Sequence, residues 1–155
     1  MTDPDPARDL TLTRDFDAPP EAVWRCWAEA ELFCRWFVPP PWRCAEVALD
    51  LVPGGRFFTR MAGPAGEDMA SEGAVLAVDP GRSISWTDAL TAGWRPAGGG
   101  FMTATVTLTP RGGGTRYDVL VRHATPEACA SHEEMGFSQG WGTAADQLGA
   151  LAAGL

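Results

Sequence analysis

The chain has no lysine and no asparagine, and it has a single isoleucine and a single tyrosine. All 12 of its basic residues are therefore arginine. This skew points to a GC-rich coding bias, so the abundance of Gly, Ala, Pro and Arg carries little weight and their placement carries more. No basic run occurs, and the formal net charge is -8. Without clustered cations there is no electrostatic grip on a phosphate backbone, which excludes nucleic acid as a partner. No stretch approaches the roughly 20 apolar residues of a membrane span, which argues against membrane insertion. The opening MTDPDPARD is acidic and proline-rich, unlike the basic-then-apolar pattern of a secretion signal, so the expected location is cytoplasmic. HExxH, GxSxG, Walker and Rossmann patterns are all missing, and no cofactor or metal is expected.

What is present suits one domain. The 155 residues, 45% of them hydrophobic, are enough to bury a core. The domain is expected over residues 8–153, after a loose tail at 1–7. Four cysteines, Cys26, Cys34, Cys44 and Cys129, form no CxxC pair and fall inside helix or strand patterns. The expectation is four buried free thiols in a reducing compartment.

The pattern begins with alternation over Asp9 to Asp17, which predicts a half-buried strand. After Ala18-Pro19-Pro20, Glu21 to Glu29 and Leu32 to Trp36 read as two short helices crowded with aromatic residues that must pack against one another. Trp42 to Leu51 and Arg56 to Met61 form a hairpin around Pro53-Gly54-Gly55, with Phe57, Thr59 and Met61 on one face. Met69 to Val78 and Arg82 to Asp88 are further strands, and Ala92 to Gly100 is a loop or irregular hairpin. Met102 to Leu108 and Tyr117 to His123 alternate most clearly, one face apolar and one solvated, around a Gly112 to Gly114 turn.

The last stretch, Pro126 to Leu151, predicts one long helix: Thr125 offers a capping hydroxyl, Pro126 the first helical position and Glu127 an early acid. Phe137, Trp141, Ala144, Leu148 and Leu151 recur on one face. Gly136, Gly140 and Gly142 fall within it, each costing about 1 kcal/mol against alanine. They imply a close approach, either of the helix to a sheet or of a ligand to the helix. The fold class is thus α+β, a curved antiparallel sheet of about six or seven strands wrapped around a long C-terminal helix.

Several pieces together resemble a known superfamily. They are Phe16 to Pro20 leading into Val23-Trp24 and Trp27; Glu31-Leu32 with Trp36-Phe37; Pro53-Gly54-Gly55 with Phe57 and Met61-Ala62-Gly63-Pro64; Gly73; Gly113-Gly114-Thr115; and His132, Met135-Gly136 and Gly140-Trp141. In this order they resemble the SRPBCC (START-like, Bet v-like) helix-grip proteins, and within them the branch of the activator of heat-shock protein 90 ATPase. The resemblance spans Leu10 to Leu151. It implies a cavity between sheet and helix, in a family that binds apolar small molecules or, in its eukaryotic branch, a chaperone.

The candidate lining of that cavity is Trp36, Trp42, Phe57, Met61, Trp86, Met102, Tyr117, Phe137 and Trp141, with Thr59, Tyr117 and His123 as its polar groups. His123 lies on the apolar parity of its strand and is expected to be hydrogen-bonded in the core or at a cavity mouth. His132, beside Glu133 and Glu134, is expected to be solvated or capping. The leading expectation is an apolar or aromatic small-molecule ligand. A chaperone or other protein partner is an alternative, as is a cyclase, dehydratase or hydrolase with His123 as base. A homodimer is expected to cover Trp94 and Phe101.

Overall fold

A computed structural model describes residues 3–155. Ahead of the first strand, Asp5 closes a turn by accepting the Ala7 amide at 3.0 Å and pairing with Arg8 at 2.8 Å. The loose tail expected over 1–7 lies partly, at residues 1 and 2, outside the described residues.

The elements follow the alternations in the sequence: β1 (Asp9–Phe16), α1 (Pro20–Ala28), α2 (Ala30–Trp36), β2 (Arg43–Leu49), β3 (Arg56–Ala62), β4 (Asp68–Asp79), β5 (Ser83–Thr87), β6 (Leu90–Thr91), β7 (Arg95–Pro96), β8 (Thr103–Arg111), β9 (Gly114–Arg122), α3 (Pro126–Glu134) and α4 (Phe137–Ala153). Seven strands form one antiparallel sheet in the order β1-β9-β8-β5-β4-β3-β2, and β6 with β7 makes a small separate hairpin. Register shifts at Cys44/Glu46 and Val75/Ala77 are the kind of irregularity that bends a sheet. The concave face receives α1, α2 and α4, the arrangement of a helix-grip fold.

The central pairs set the core. Val106 lies opposite Val119 and Ala104 opposite Val121 in β8–β9. Val106, Leu108, Val119, Val121 and Leu148 are all buried in one cluster, as their period-2 and 3.6-residue spacings require. The two short helices are locked by Trp36, whose Nε1–H donates to the Cys26 carbonyl at 2.9 Å. Gln147 of α4 donates in turn to the Trp36 carbonyl at 2.8 Å, so α4 is tied to α2.

The C-terminal helix differs from the expected single rod. Thr125 caps α3 as predicted, accepting the Ala128 amide at 3.1 Å. At Gly136, however, the chain takes φ +93°, a left-handed conformation that ends α3 and starts α4. Glycine tolerates this without a Cβ clash, which is why the break falls there. Gly136 is therefore a junction and not an interior helix residue.

The expectation of four free thiols also needs correction. Cys34, in α2, and Cys44, in β2, form a disulfide with their Cα atoms 5.1 Å apart. The packing of α2 against β2 brings two positions ten residues apart within bridging distance, which spacing alone does not disclose. Cys26 and Cys129 are free and buried, and burial pushes both thiols above their ordinary value.

Candidate functional site

The helix α4 does not cover the sheet evenly. Its closest packing is with β1, α1 and α2. A Cβ on Gly149 would come within 2.6 Å of the Phe16 ring, and one on Gly142 within 2.8 Å of the Arg14 guanidinium. These glycines let the helix backbone lie down on β1. Gly140 is different, because a Cβ there would meet nothing within 4 Å. It faces a cavity of about 410 Å³ between α4 and strands β3, β4 and β5. The two readings of the helix glycines thus apply to different residues of one helix.

Of the expected lining residues, Trp36, Phe57, Thr59, Met61, Trp86, Met102, Tyr117 and Trp141 border this cavity. Phe57 and Trp86 stack at 4.9 Å with planes 11° apart, and Trp86 and Trp141 are parallel within 8° at 6.4 Å. The wall is thus a set of parallel aromatic faces carried by β3, β5 and α4. Three expected residues do not border it. Trp42 is half-buried in the turn before β2. Phe137 is buried behind Trp141, 5.1 Å away. His123 sits one layer back with both ring nitrogens occupied: Nδ1 is 2.8 Å from the Arg8 carbonyl and Nε2 is 2.9 Å from His132 Nδ1.

Residues not anticipated complete the site. His132 is buried, at 8% exposure, and lines the cavity. It is ringed by Phe101 at 4.9 Å, Phe137 at 5.2 Å and Trp141 at 6.0 Å. The expectation of a solvated or capping histidine fails for a geometric reason. On a continuous helix at about 100° per residue, His132 would point about 180° from Trp141. The break at Gly136 resets that phase and turns α3 inward. Burial and the neighbouring His123 hold the His132 pKa below its usual range, against an opposing pull from Asp88. Phe101, one of the two residues expected to seek cover in a dimer, packs on both histidines. Trp94 remains exposed.

At the inner end, Trp27 from α1 and Tyr117 from β9 meet. Burial drives the Tyr117 phenol far above its ordinary pKa, so it stays a neutral hydroxyl. The buried Trp27 indole N–H lies near enough to favour the Tyr117 phenolate slightly, yet it closes no hydrogen bond of full geometry. Asp88 shapes the rim by accepting the Phe101 and Met102 amides at 2.7 and 3.0 Å. Met69 and Met135, both more than half exposed, flank the mouth. Among the described residues no arginine borders the cavity, and no three His, Cys, Asp or Glu side chains gather as a metal site.

A second, more open depression of about 470 Å³ lies at the Gly112–Gly114 turn. Turn backbone and the charged residues Asp15, Asp17 and Arg111 form much of its walls, so it offers little apolar surface.

Comparison with known proteins matches this geometry to a family. The model of the family described as Activator of Hsp90 ATPase homolog 1-like protein matches residues 17–153. A solved structure from Nitrosomonas europaea is 42% identical, covers 96% of each chain and superposes with a TM-score of 0.92. One from Mycobacterium smegmatis is 32% identical over 94% of this chain and 90% of its own, with a TM-score of 0.79. An AHSA1-like protein from Aeromonas hydrophila, at 20% identity over 94% and 92% of the two chains and a TM-score of 0.73, shares the fold. No curated protein matches the chain.

Proposed function

The chain belongs to the activator of Hsp90 ATPase homolog 1-like family, and on that premise we propose that it binds a small apolar, aromatic molecule in the cavity beneath α4. The observation that carries this reading is the cavity itself: about 410 Å³, walled by the parallel rings of Phe57, Trp86 and Trp141. Ligand pockets commonly measure roughly 300 to 1,000 Å³ and are mostly apolar with few polar groups. The methionines at the mouth add flexible apolar surface that adapts to a ligand's outline.

A bicyclic aromatic molecule of about ten heavy atoms would bury nearly all of its surface here. At roughly 0.5 to 0.7 kcal/mol per heavy atom, that corresponds to binding at about 10 to 200 μM. The reading with His123 as a catalytic base has no open nitrogen to work with, since both are engaged. Native mass spectrometry of protein purified without added ligand is the direct test. The expected result is a retained small molecule that leaves on denaturation. Bare protein that also ignores a broad panel of aromatic probes would contradict the proposal.

A further inference from the structure

We propose that His132 Nε2 is a fixed hydrogen-bond acceptor at the cavity wall, selecting neutral aromatic ligands that carry a hydroxyl or N–H donor. The inference rests on the ligand-binding reading above and narrows it to a chemical class.

Proton placement along the two imidazoles starts at a backbone carbonyl. The Arg8 carbonyl can only accept, so the nitrogen 2.8 Å from it, His123 Nδ1, must carry the proton. The backbone amide of His123 donates to the same carbonyl at 3.1 Å, which holds that end of the ring in register with β1. A neutral His123 then has a bare Nε2. The group facing it at 2.9 Å, His132 Nδ1, must be the donor. A neutral His132 protonated at Nδ1 is left with a lone pair on Nε2. The backbone of one residue thus fixes the tautomer of a second ring through the first.

The position of that lone pair completes the case. Among the described residues none makes a hydrogen bond to His132 Nε2, although the residue is more than nine-tenths buried. Among the described residues, the only unpartnered side-chain polar atom cut off from all solvent is Trp27 Nε1, so His132 Nε2 keeps an opening, and His132 is one of the residues that border the cavity. The aromatic ring of neighbours, Phe101, Phe137 and Trp141, leaves that edge as a polar feature on the aromatic side of the cavity, apart from Thr59, Ser71 and Tyr117 of the strands. Burial and the second imidazole keep His132 neutral, and so an acceptor.

Charge decides between donor classes. Among the described residues, the acids bordering the cavity are Asp88 and Glu72, the latter paired with Arg56 at 2.9 Å, and no lysine or arginine lines it. A carboxylate ligand would meet a bare imidazole lone pair and a nearby carboxylate. A neutral phenol or indole would meet a matching acceptor. A ligand with no donor would leave the imidazole nitrogen buried and unpaired, a penalty that falls on the wrong ligand more heavily than the bond rewards the right one.

Three probes on one naphthalene ring separate the outcomes, 1-naphthol and 1-methylnaphthalene of equal size and the slightly larger anion 1-naphthoate, each titrated at neutral pH by ligand-observed NMR. The expected order is 1-naphthol tightest, by about tenfold over 1-methylnaphthalene, with 1-naphthoate weakest. In His132→Phe the advantage of 1-naphthol should shrink to about twofold or less while 1-methylnaphthalene still binds. Equal affinities for the two neutral probes would overturn the inference and leave cavity binding intact. Tightest binding of 1-naphthoate would overturn it by showing a protonated His132. Failure of all three would remove both this inference and the reading beneath it. Nitrogen-15 correlation spectra of the parent protein test the tautomer without any ligand or variant: His132 should be protonated at Nδ1 and bare at Nε2, and a proton on Nε2 in the neutral ring would overturn the inference.

Discussion

A buried imidazole whose charged form is disfavoured makes stability depend on pH in one direction. For His132 the unfolded chain titrates near 6.5 and the folded chain below it. Above 6.5 neither state is charged there and the contribution to stability is complete. As the pH falls through 6.5 toward the folded value, the unfolded chain takes up a proton that the folded chain refuses, and stability is lost. The melting temperature of the parent should therefore fall between about pH 7 and pH 5.5. His132→Phe should fall less over the same interval; parallel curves would contradict the placement of His132. The residue also shows what the sequence could not disclose. Its type was plain, but its direction depended on a helix break that periodicity does not encode. For His123 the strand parity was sufficient, and it is hydrogen-bonded inside, though one layer behind the cavity wall. The disulfide was hidden for a related reason, since Cys34 and Cys44 meet only when α2 packs on β2.

At the α3–α4 junction and within α4, two glycines four residues apart should respond in opposite senses to the same change. Gly136 holds φ +93°, where a Cβ clashes with its own backbone. Gly136→Ala should cost about 1 to 2 kcal/mol in urea unfolding. Gly140 is helical with open space around it, and Gly140→Ala should gain up to about 1 kcal/mol from helix propensity. Losses of similar size at both sites would mean that α4 is packed solidly at Gly140. The strands were the most legible elements, because β8 and β9 alternate without interruption and their facing valines decide the register. Val119→Ala should cost about 1 to 3 kcal/mol, and a change within a few tenths of zero would contradict its place in the core. The β6–β7 hairpin was less legible: its two-residue strands are too short for any period to register.

Over the whole molecule, the sheet has a filled end and an open end. On the β1 side Phe16 packs beneath Gly149 and Arg14 crosses at Gly142, so helix and sheet are in contact. On the β3 to β5 side the same helix stands off, and aromatic rings border the gap without filling it. Composition could not separate these ends, because glycine occurs along α4 over both. The separation becomes visible only when each glycine's surroundings are known. The most direct test is to place a side chain in the gap and measure equilibrium binding of 1-methylnaphthalene to Gly140→Leu beside the parent. If the gap is a ligand site, leucine enters empty space on a helix that prefers it to glycine. The variant should then remain folded, with stability equal to or above the parent, while binding weakens by about tenfold or more. If the region is instead a solid core, the added side chain must force the helix from the sheet, and the variant will lose roughly 1 to 3 kcal/mol of stability. That loss, or undiminished binding by a folded variant, would contradict the account.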